Sequence, residues 1–446
     1  MQKIHVHAAP LQAQPRYHWA MDTSLLTLVD RVRAAAADGA ALRIRGGGSK
    51  DFLADQLRGE VLDITAHSGI VSYEPSELVV TVKAGTPLAE LEAALAEQGQ
   101  CLPFEPPRFS VRAAQHTIAA TAAPSGIALQ GASYNSDTAT SVPLGTAPQG
   151  ALSNSGTTAA VPLGTVGGMV AAGLSGPARA SVGAARDYVL GLQIVNGKAE
   201  QLTFGGTVMK NVAGYDVSRL VAGSWGMLGV ITEVSIKVLP VAPAEATLCF
   251  EMPQDKALAQ LNHWGGQPLP LNASNWVQDN GQNLLFVRLR GAVAAVEAAC
   301  QKMLAQHPGQ RMDSAQTAAD WTLCRDLQLP FFKQPPSPDA CLWRISVPQT
   351  APTLDLPADA PWAQMIDWHG AQRWLWAPAS EGAHLRATAQ AAGGHATLFI
   401  ASQAEFTWAG SRFDAIKSPL DRIHRQIKAE FDPAGIFNPG RTPWFN

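Results

Sequence analysis

The alternating run Leu42-Arg43-Ile44-Arg45 reads as a strand, and it empties directly into Gly46-Gly47-Gly48-Ser49. Three consecutive glycines free the backbone to take positive φ and to approach a ligand with no Cβ in the way. Successive N–H groups in such a turn make a concavity for an anion, and a pyrophosphate suits that chemistry. The segment is not a P-loop, because no GKS or GKT follows; Gly197-Lys198 continues with Ala199. Position 51 is Asp, so the GxGxxG dinucleotide fingerprint is absent too. Alone, a glycine triplet also suits an ordinary tight turn.

Two later stretches narrow the choice. Thr165-Val166-Gly167-Gly168-Met169-Val170-Ala171-Ala172-Gly173-Leu174-Ser175-Gly176-Pro177 holds few side chains larger than a methyl group. A flat or extended molecule can lie against such a backbone, and close helix packing would use the same residues. Gly183-Ala184-Ala185-Arg186-Asp187-Tyr188-Val189-Leu190-Gly191 sets a charged pair just before an apolar strand, where a plain surface ion pair is the competing explanation.

The surrounding pattern reads as α+β. Thr23 or Ser24 can cap a helix through about Ala37, with Leu25, Leu28, Val29 and Val32 on one face and Gly39 at its end. Strands are expected at 61–65, 70–73 and 78–85. Pro87 then opens a helix striped by Leu88, Leu91 and Leu95. Residues 189–195 and 199–204 read as strands around an Asn196-Gly197 hairpin turn. Residues 108–163 differ: they are dominated by Ala, Ser, Thr, Gly and Pro, and Val142–Thr146 repeats as Val161–Thr165. This composition predicts a low-complexity insertion with little order. From about 241 to 417 a second, loop-richer domain is expected, and ten of the twelve tryptophans lie beyond residue 260. Residues 419–431 form an amphipathic helix with Ile423, Ile427 and Phe431 on one face, ended by Asp432-Pro433.

With 33 basic and 36 acidic side chains among 446 residues, the chain has no electrostatic footprint for nucleic acid or an anionic membrane. No run reaches the roughly 18 apolar residues of a membrane span. Residues 1–21 lack an apolar h-region, which predicts no signal peptide and a cytoplasmic location, with any membrane contact made through partners. The five scattered cysteines, never in CxxC spacing, predict neither a disulfide framework nor a self-contained iron–sulfur cluster.

Taken in order, and followed by Lys210-Asn211-Val212-Ala213-Gly214-Tyr215-Asp216 and Gly226-Met227-Leu228-Gly229-Val230-Ile231-Thr232, these stretches resemble the FAD-binding domain of the vanillyl-alcohol oxidase/PCMH flavoprotein family. Leu102–Pro107, Met209–Asp216 and the ending Phe431–Arg441 carry a narrower likeness to FAD-binding subunits of glycolate-oxidising complexes. The resemblance covers residues 24–107, 164–240 and 419–446 well and the middle only loosely. It implies a PCMH-type FAD-binding domain of two α/β subdomains, from 1–107 and 164–240, plus a smaller α+β cap-like domain at 241–418. Residues 419–446 would return to the first domain.

The resemblance also implies roles. Arg45, Gly46, Gly47, Gly48, Ser49 and Lys50 would hold the FAD pyrophosphate. Pro103, Thr165, Gly167, Gly168 and Ala171 would lie along the dinucleotide. Ser175, Gly183, Arg186 and Asp187 would line the cofactor, and Gly229, Val230 and Ile231 would meet its adenine end. Lys210, Asn211, Tyr215 and Asn438 would sit near the isoalloxazine. Arg441 is the candidate for a substrate carboxylate, with contact to FAD phosphate or backbone as its other role. His369 and His395 are too isolated to predict a metal. The implied activity is oxidation of a small 2-hydroxy acid, with electrons leaving through a second flavoprotein subunit and an iron–sulfur subunit. An autonomous dehydrogenase for a D-lactate-like acid and a non-catalytic scaffold subunit are the alternatives.

Overall fold

A computed structural model describes residues 22–109, 164–206, 216–279, 281–357, 362–402 and 410–445. The insertion expected at 108–163 lies outside these residues, apart from Arg108 and Phe109.

Helix α1 (Thr23–Asp38) is capped by Asp22, whose carboxylate accepts from the N–H groups of Ser24 and Leu25. The cap thus falls one residue before the expected Thr23 or Ser24, because the carboxylate reaches the free N–H groups of the first turn. Leu28, Val29, Val32 and Ala35 are its buried face, and Gly39 ends it at φ +64°. Strand β1 (Leu42–Arg45) pairs in parallel with β2 (Glu60–Asp63), so the glycine turn leaves the C-terminal edge of a two-stranded parallel ladder. There follow β3 (Ile70–Glu74), β4 (Val79–Lys83), α2 (Leu88–Glu97), β5 (Gln100–Cys101), α3 (Val166–Ala172), α4 (Arg179–Val182), β6 (Val189–Val195), β7 (Gln201–Gly205), α5 (Val217–Val221), β8 (Val230–Lys237) and β9 (Leu239–Pro240). An antiparallel sheet in the order β3-β4-β8-β6-β7 backs this unit.

The β6–β7 connection is wider than a two-residue Asn-Gly turn. Asn196 Oδ1 accepts from the N–H groups of Lys198 and Glu200, and Ala199, not Gly197, takes positive φ (+58°). Gly197 serves close packing instead: a Cβ there would lie 2.5 Å from Asp432 Oδ1.

The second unit departs from the expected loop-rich character. Its elements are β10 (Ala244–Glu251), α6 (Gln254–Gly265), β11 (Leu271–Asp279), β12 (Gln282–Gly291), α7 (Val293–Gln306), β13 (Gly309–Arg311), α8 (Ser314–Arg325), α9 (Pro330–Lys333), β14 (Ala340–Ser346), β15 (Gln364–Asp367), β16 (Gln372–Pro378), α10 (Gly382–Ala391) and β17 (His395–Ile400). The strands form one antiparallel sheet, ordered β13-β10-β12-β11-β15-β16-β14-β17. Helices α6 and α7 pack Leu261, Trp264 and Met303 on one face of the sheet. On the other face Phe286, Trp374 and Phe399 meet Phe331, Phe332 and, from the first unit, Leu174 and Trp225. The two units therefore meet along a seam between this sheet face and the loops after α3 and α5.

Two polar clamps close that seam. Glu105 accepts from Arg288 Nη2 through both oxygens at 2.8 Å and from Arg290 Nη1 at 3.0 Å. Trp368 Nε1 donates to the carbonyl of Gly176 at 2.8 Å.

Helix α11 (Leu420–Phe431) returns the chain to the first unit. Of its expected apolar face, Ile423 is exposed, and Phe431 meets Phe204 with ring centroids 6.2 Å apart. Its buried residue is Lys428, which donates to the carbonyls of Met227 and Phe437 and to Asp432. A polar knot, rather than an apolar stripe, docks this helix. The tail then runs beside β1: Leu42 N–H donates to Ile436 O, and Asn438 N–H donates to Leu42 O.

Candidate functional site

The glycine turn and the small-residue helix converge on one cavity of about 640 Å³. The turn contributes Arg45, Gly46, Gly47, Gly48, Ser49 and Lys50, and Gly48 is its residue at positive φ (+71°). The opposite wall brings Thr165, Gly167, Gly168 and Ala171. A Cβ on Gly46 would lie 2.4 Å from Thr165 Oγ1, so these two walls touch only because residue 46 is glycine. Gly167 packs as closely on Ala84, where a Cβ would lie 2.7 Å from the Ala84 methyl. Thr165 caps α3 by accepting from Gly168 N–H.

The floor comes from farther along the chain. Gly229 and Ile231 line it at the start of β8, and a Cβ on Gly229 would lie 2.9 Å from Val195 O. Asn438 stitches three segments together. Its Oδ1 accepts from Ile44 N–H, its Nδ2 donates to Trp225 O, and its backbone N–H bonds Leu42 O, each at 2.8 Å. Arg441 stacks over Trp225 with 5.3 Å to the ring centroid, donates to Lys50 O, and keeps a buried Nε with no hydrogen-bond partner.

The lining carries three cations, Arg45, Lys50 and Arg441, against the single carboxylate of Asp51. Asp51 accepts from Arg45 Nε at 2.9 Å and lies 4.0 Å from Arg441 Nη1, so one carboxylate serves two guanidinium groups. Lys50 is buried, and among the described residues its ammonium reaches no hydrogen-bond acceptor but Ser49 Oγ at 3.4 Å. Burial, with repulsion from Arg441, pushes its pKa down to about 8. A buried, uncompensated lysine beside an orphaned guanidinium nitrogen is a site built for an anion.

The other sequence candidates lie elsewhere. Pro103 is buried without lining this cavity, and Val230 points into the core beneath it. Gly183, Arg186 and Asp187 form a separate turn: Asp187 accepts from Ala184 N–H at 2.8 Å, and Gly183 takes φ +99°. Lys210, Asn211 and Tyr215 fall outside the described residues. Ser175 lines a second cavity of about 350 Å³, which the loop after α3 shares with Arg344, Trp374 and Phe399 of the second sheet. The two cavities adjoin: Lys50 of the first lies 5.9 Å from the ring centroid of Phe109, which lines the second.

Sequence reasoning missed Ile44, Asp51, Ile64, Gly164, Ala172, Trp225 and Gly226 in the first cavity. Asp51 and Gly164 adjoin recognised motifs and could have been included by proximity. Trp225 carries no local signal.

Comparison with known proteins identifies the family of the chain. The model of a family described as "FAD binding domain" matches residues 23–152. The glycolate oxidase subunit GlcE of Escherichia coli is 38% identical over 414 residues, spanning 93% of this chain and 96% of that protein. The glycolate oxidase subunit GlcD of Bacillus subtilis is 39% identical over 83 residues, 19% of this chain and 18% of that one. A D-lactate dehydrogenase of Anaerostipes hadrus matches at 39% over 83 residues, again 19% of this chain and 18% of that one. Among solved structures, an alkyldihydroxyacetonephosphate synthase superposes with a TM-score of 0.55 at 14% identity, covering 92% of this chain and 74% of that one. That likeness speaks for the fold alone.

Proposed function

Because the chain belongs to the glycolate oxidase subunit GlcE family and carries an FAD-binding domain, we propose that it is the FAD-binding subunit of a complex that oxidises glycolate to glyoxylate. The observation that carries this reading is the first cavity. Its backbone is stripped of side chains on both walls. Lys50 has no carboxylate partner among the described residues, and Arg441, 4.0 Å from Asp51, keeps its Nε without a hydrogen-bond partner; both would face the negative charges of a pyrophosphate.

Residues 46–49 would present backbone N–H groups to the phosphates, with Lys50 Nζ and the free Arg441 Nε completing the charge balance. Thr165, Gly167, Gly168 and Ala171 would pack along the dinucleotide, and Gly229 and Ile231 would line its far end. When bound, FAD supplies a two-electron acceptor for hydride from the α-carbon of a 2-hydroxy acid. Trp225 shields Arg441 from solvent, and Asn438 fixes the spacing between β1 and the Trp225 turn. Ser175, Gly183, Arg186 and Asp187 remain candidates for the far reach of the cofactor. Pro103, Val230, Lys210, Asn211 and Tyr215 are kept in the proposal on the resemblance alone.

Partners follow from the same reading: a GlcD-like flavoprotein subunit and a GlcF-like iron–sulfur subunit would receive the electrons. No helix among the described residues is long and apolar enough to cross a membrane. Membrane contact would accordingly run through the partners of a cytoplasmic subunit.

The test is anaerobic mixing of the reconstituted complex with glycolate. Bleaching of flavin absorbance in the wild-type complex, lost when this subunit carries Gly46→Val, is the expected result. Full bleaching with that variant would assign the chemistry to another subunit. D-lactate in place of glycolate, tested on the isolated chain, addresses the autonomous alternative.

A further inference from the structure

We propose that the second cavity is an anionic-substrate site in which Arg344 anchors the carboxylate of a small 2-hydroxy acid. This rests on the reading of the first cavity as the FAD site and names the substrate contact that goes with it.

Arg344 projects from β14 in register with Trp374 of β16 and Thr397 of β17, so a rigid sheet fixes it. Its guanidinium lies 5.4 Å from the ring centroid of Phe399, and its buried Nε has no hydrogen-bond partner. No carboxylate among the described residues pairs with it. The contrast with the neighbouring charges is informative. Arg325, on the same cavity, is neutralised by Asp326 at 2.7 Å. Asp367, also on the cavity, is already occupied by donors from Asn275 at 2.7 Å and Trp374 at 2.9 Å. It is therefore not a counter-ion held for Arg344. Arg179 adds a second cation at the edge, stacked 4.4 Å over Trp368 with no ion pair among the described residues.

A guanidinium nitrogen buried without a partner is costly unless a ligand completes it. Arg presents a planar fork that matches a carboxylate with two parallel hydrogen bonds. The cavity is walled by the rings of Trp374, Phe399 and Phe109, which confine a ligand held on Arg344 between aromatic faces. It adjoins the first cavity at Lys50 and Phe109, so an acid held on Arg344 would lie next to the site proposed for the flavin. Arg441 no longer needs this role, because it is engaged with Trp225 and Lys50 on the dinucleotide side.

The experiment uses the FAD-loaded chain and titrates oxalate, a carboxylate that cannot be oxidised in this way, while following the flavin spectrum. Glycolamide serves as the neutral control, and glycolate KM is measured in the complex. Arg344→Gln should keep its FAD bands but bind oxalate about 10- to 100-fold more weakly, and raise KM for glycolate similarly. Arg344→Lys, which keeps the charge but loses the fork, should fall between; it carries the test if the Gln variant fails to fold. Glycolamide should bind the variants and the wild type alike. Unchanged oxalate affinity in either soluble variant would overturn the proposal. So would a wild-type chain that holds FAD but ignores oxalate, or a variant whose first defect is loss of FAD. Failure of the wild type to bind FAD would instead strike the function proposed above.

Discussion

Replacing Lys50 with Met should move stability and cofactor affinity in opposite directions. Lys50 is buried without a counter-ion among the described residues, and its pKa falls from 10.5 to about 8 on folding. At pH 7 the ammonium is charged in both states, so the folded apoprotein carries a penalty of about 3 kcal/mol from this one group. The sign is fixed by proton counts. Between about pH 8 and 10.5 the unfolded chain binds the extra proton, so stability from this group rises with pH across that window and is lowest below it. Lys50→Met removes the charge and keeps an apolar stem of similar length. The apoprotein should gain up to about 3 kcal/mol at pH 7, read as a higher thermal midpoint, with the advantage shrinking above pH 8. FAD affinity should fall about 10- to 100-fold, the value of a charge-assisted hydrogen bond. In the wild type, FAD binding should also weaken as pH rises through 8. Differential scanning of the apoprotein and fluorescence titration of FAD measure both effects. An apoprotein destabilised by the substitution, or one that binds FAD undiminished, would refute the reasoning.

Three further predictions follow from close contacts. Gly46→Val drives a side chain into Thr165, whose Oγ1 would lie 2.4 Å from the new Cβ; FAD content should fall at least tenfold while circular dichroism stays native. Glu105→Gln leaves Arg288 and Arg290 short of charge at the seam and should cost about 3–5 kcal/mol, seen as a lower unfolding midpoint. The Glu105 carboxylate is held below its ordinary pKa by Arg288 and Arg290 against the opposing push of burial, so its contribution is complete above about pH 4.5 and lost as pH falls below it; the Gln variant should flatten that acid limb. Asn438→Ala orphans Ile44 N–H and Trp225 O and should lower thermal stability by about 2–4 kcal/mol, with FAD affinity reduced through the loosened turn.

The first cavity was largely legible in the sequence because its signal is the absence of side chains. Gly46–Gly48 and Gly167–Gly168 stand out in any composition, and their order along the chain resembles a known arrangement. The finer conformation was not legible: which of the three glycines takes positive φ, here Gly48, depends on the path of a turn that Arg45 and Asp51 pair across. Trp225 and Ile64 reach the cavity only through tertiary folding. The second unit escaped for a different reason. Strands β10, β11 and β12 are buried on both faces, by helices on one side and by aromatic rings on the other, so the period-two alternation that marks a half-exposed strand is absent. Asn275 and Asp367 look like surface residues in the sequence and turn out to be interior polar groups of that sheet, and half-buried Arg344 keeps its Nε enclosed there.

The central claim is that the turn at 46–50 and the wall at 165–171 close on one FAD, and an experimental structure of the FAD-loaded chain tests it most directly. The account predicts pyrophosphate oxygens within hydrogen-bond distance of backbone N–H groups in residues 46–49 and of Lys50 Nζ. An FAD whose phosphates sit away from that turn would contradict it.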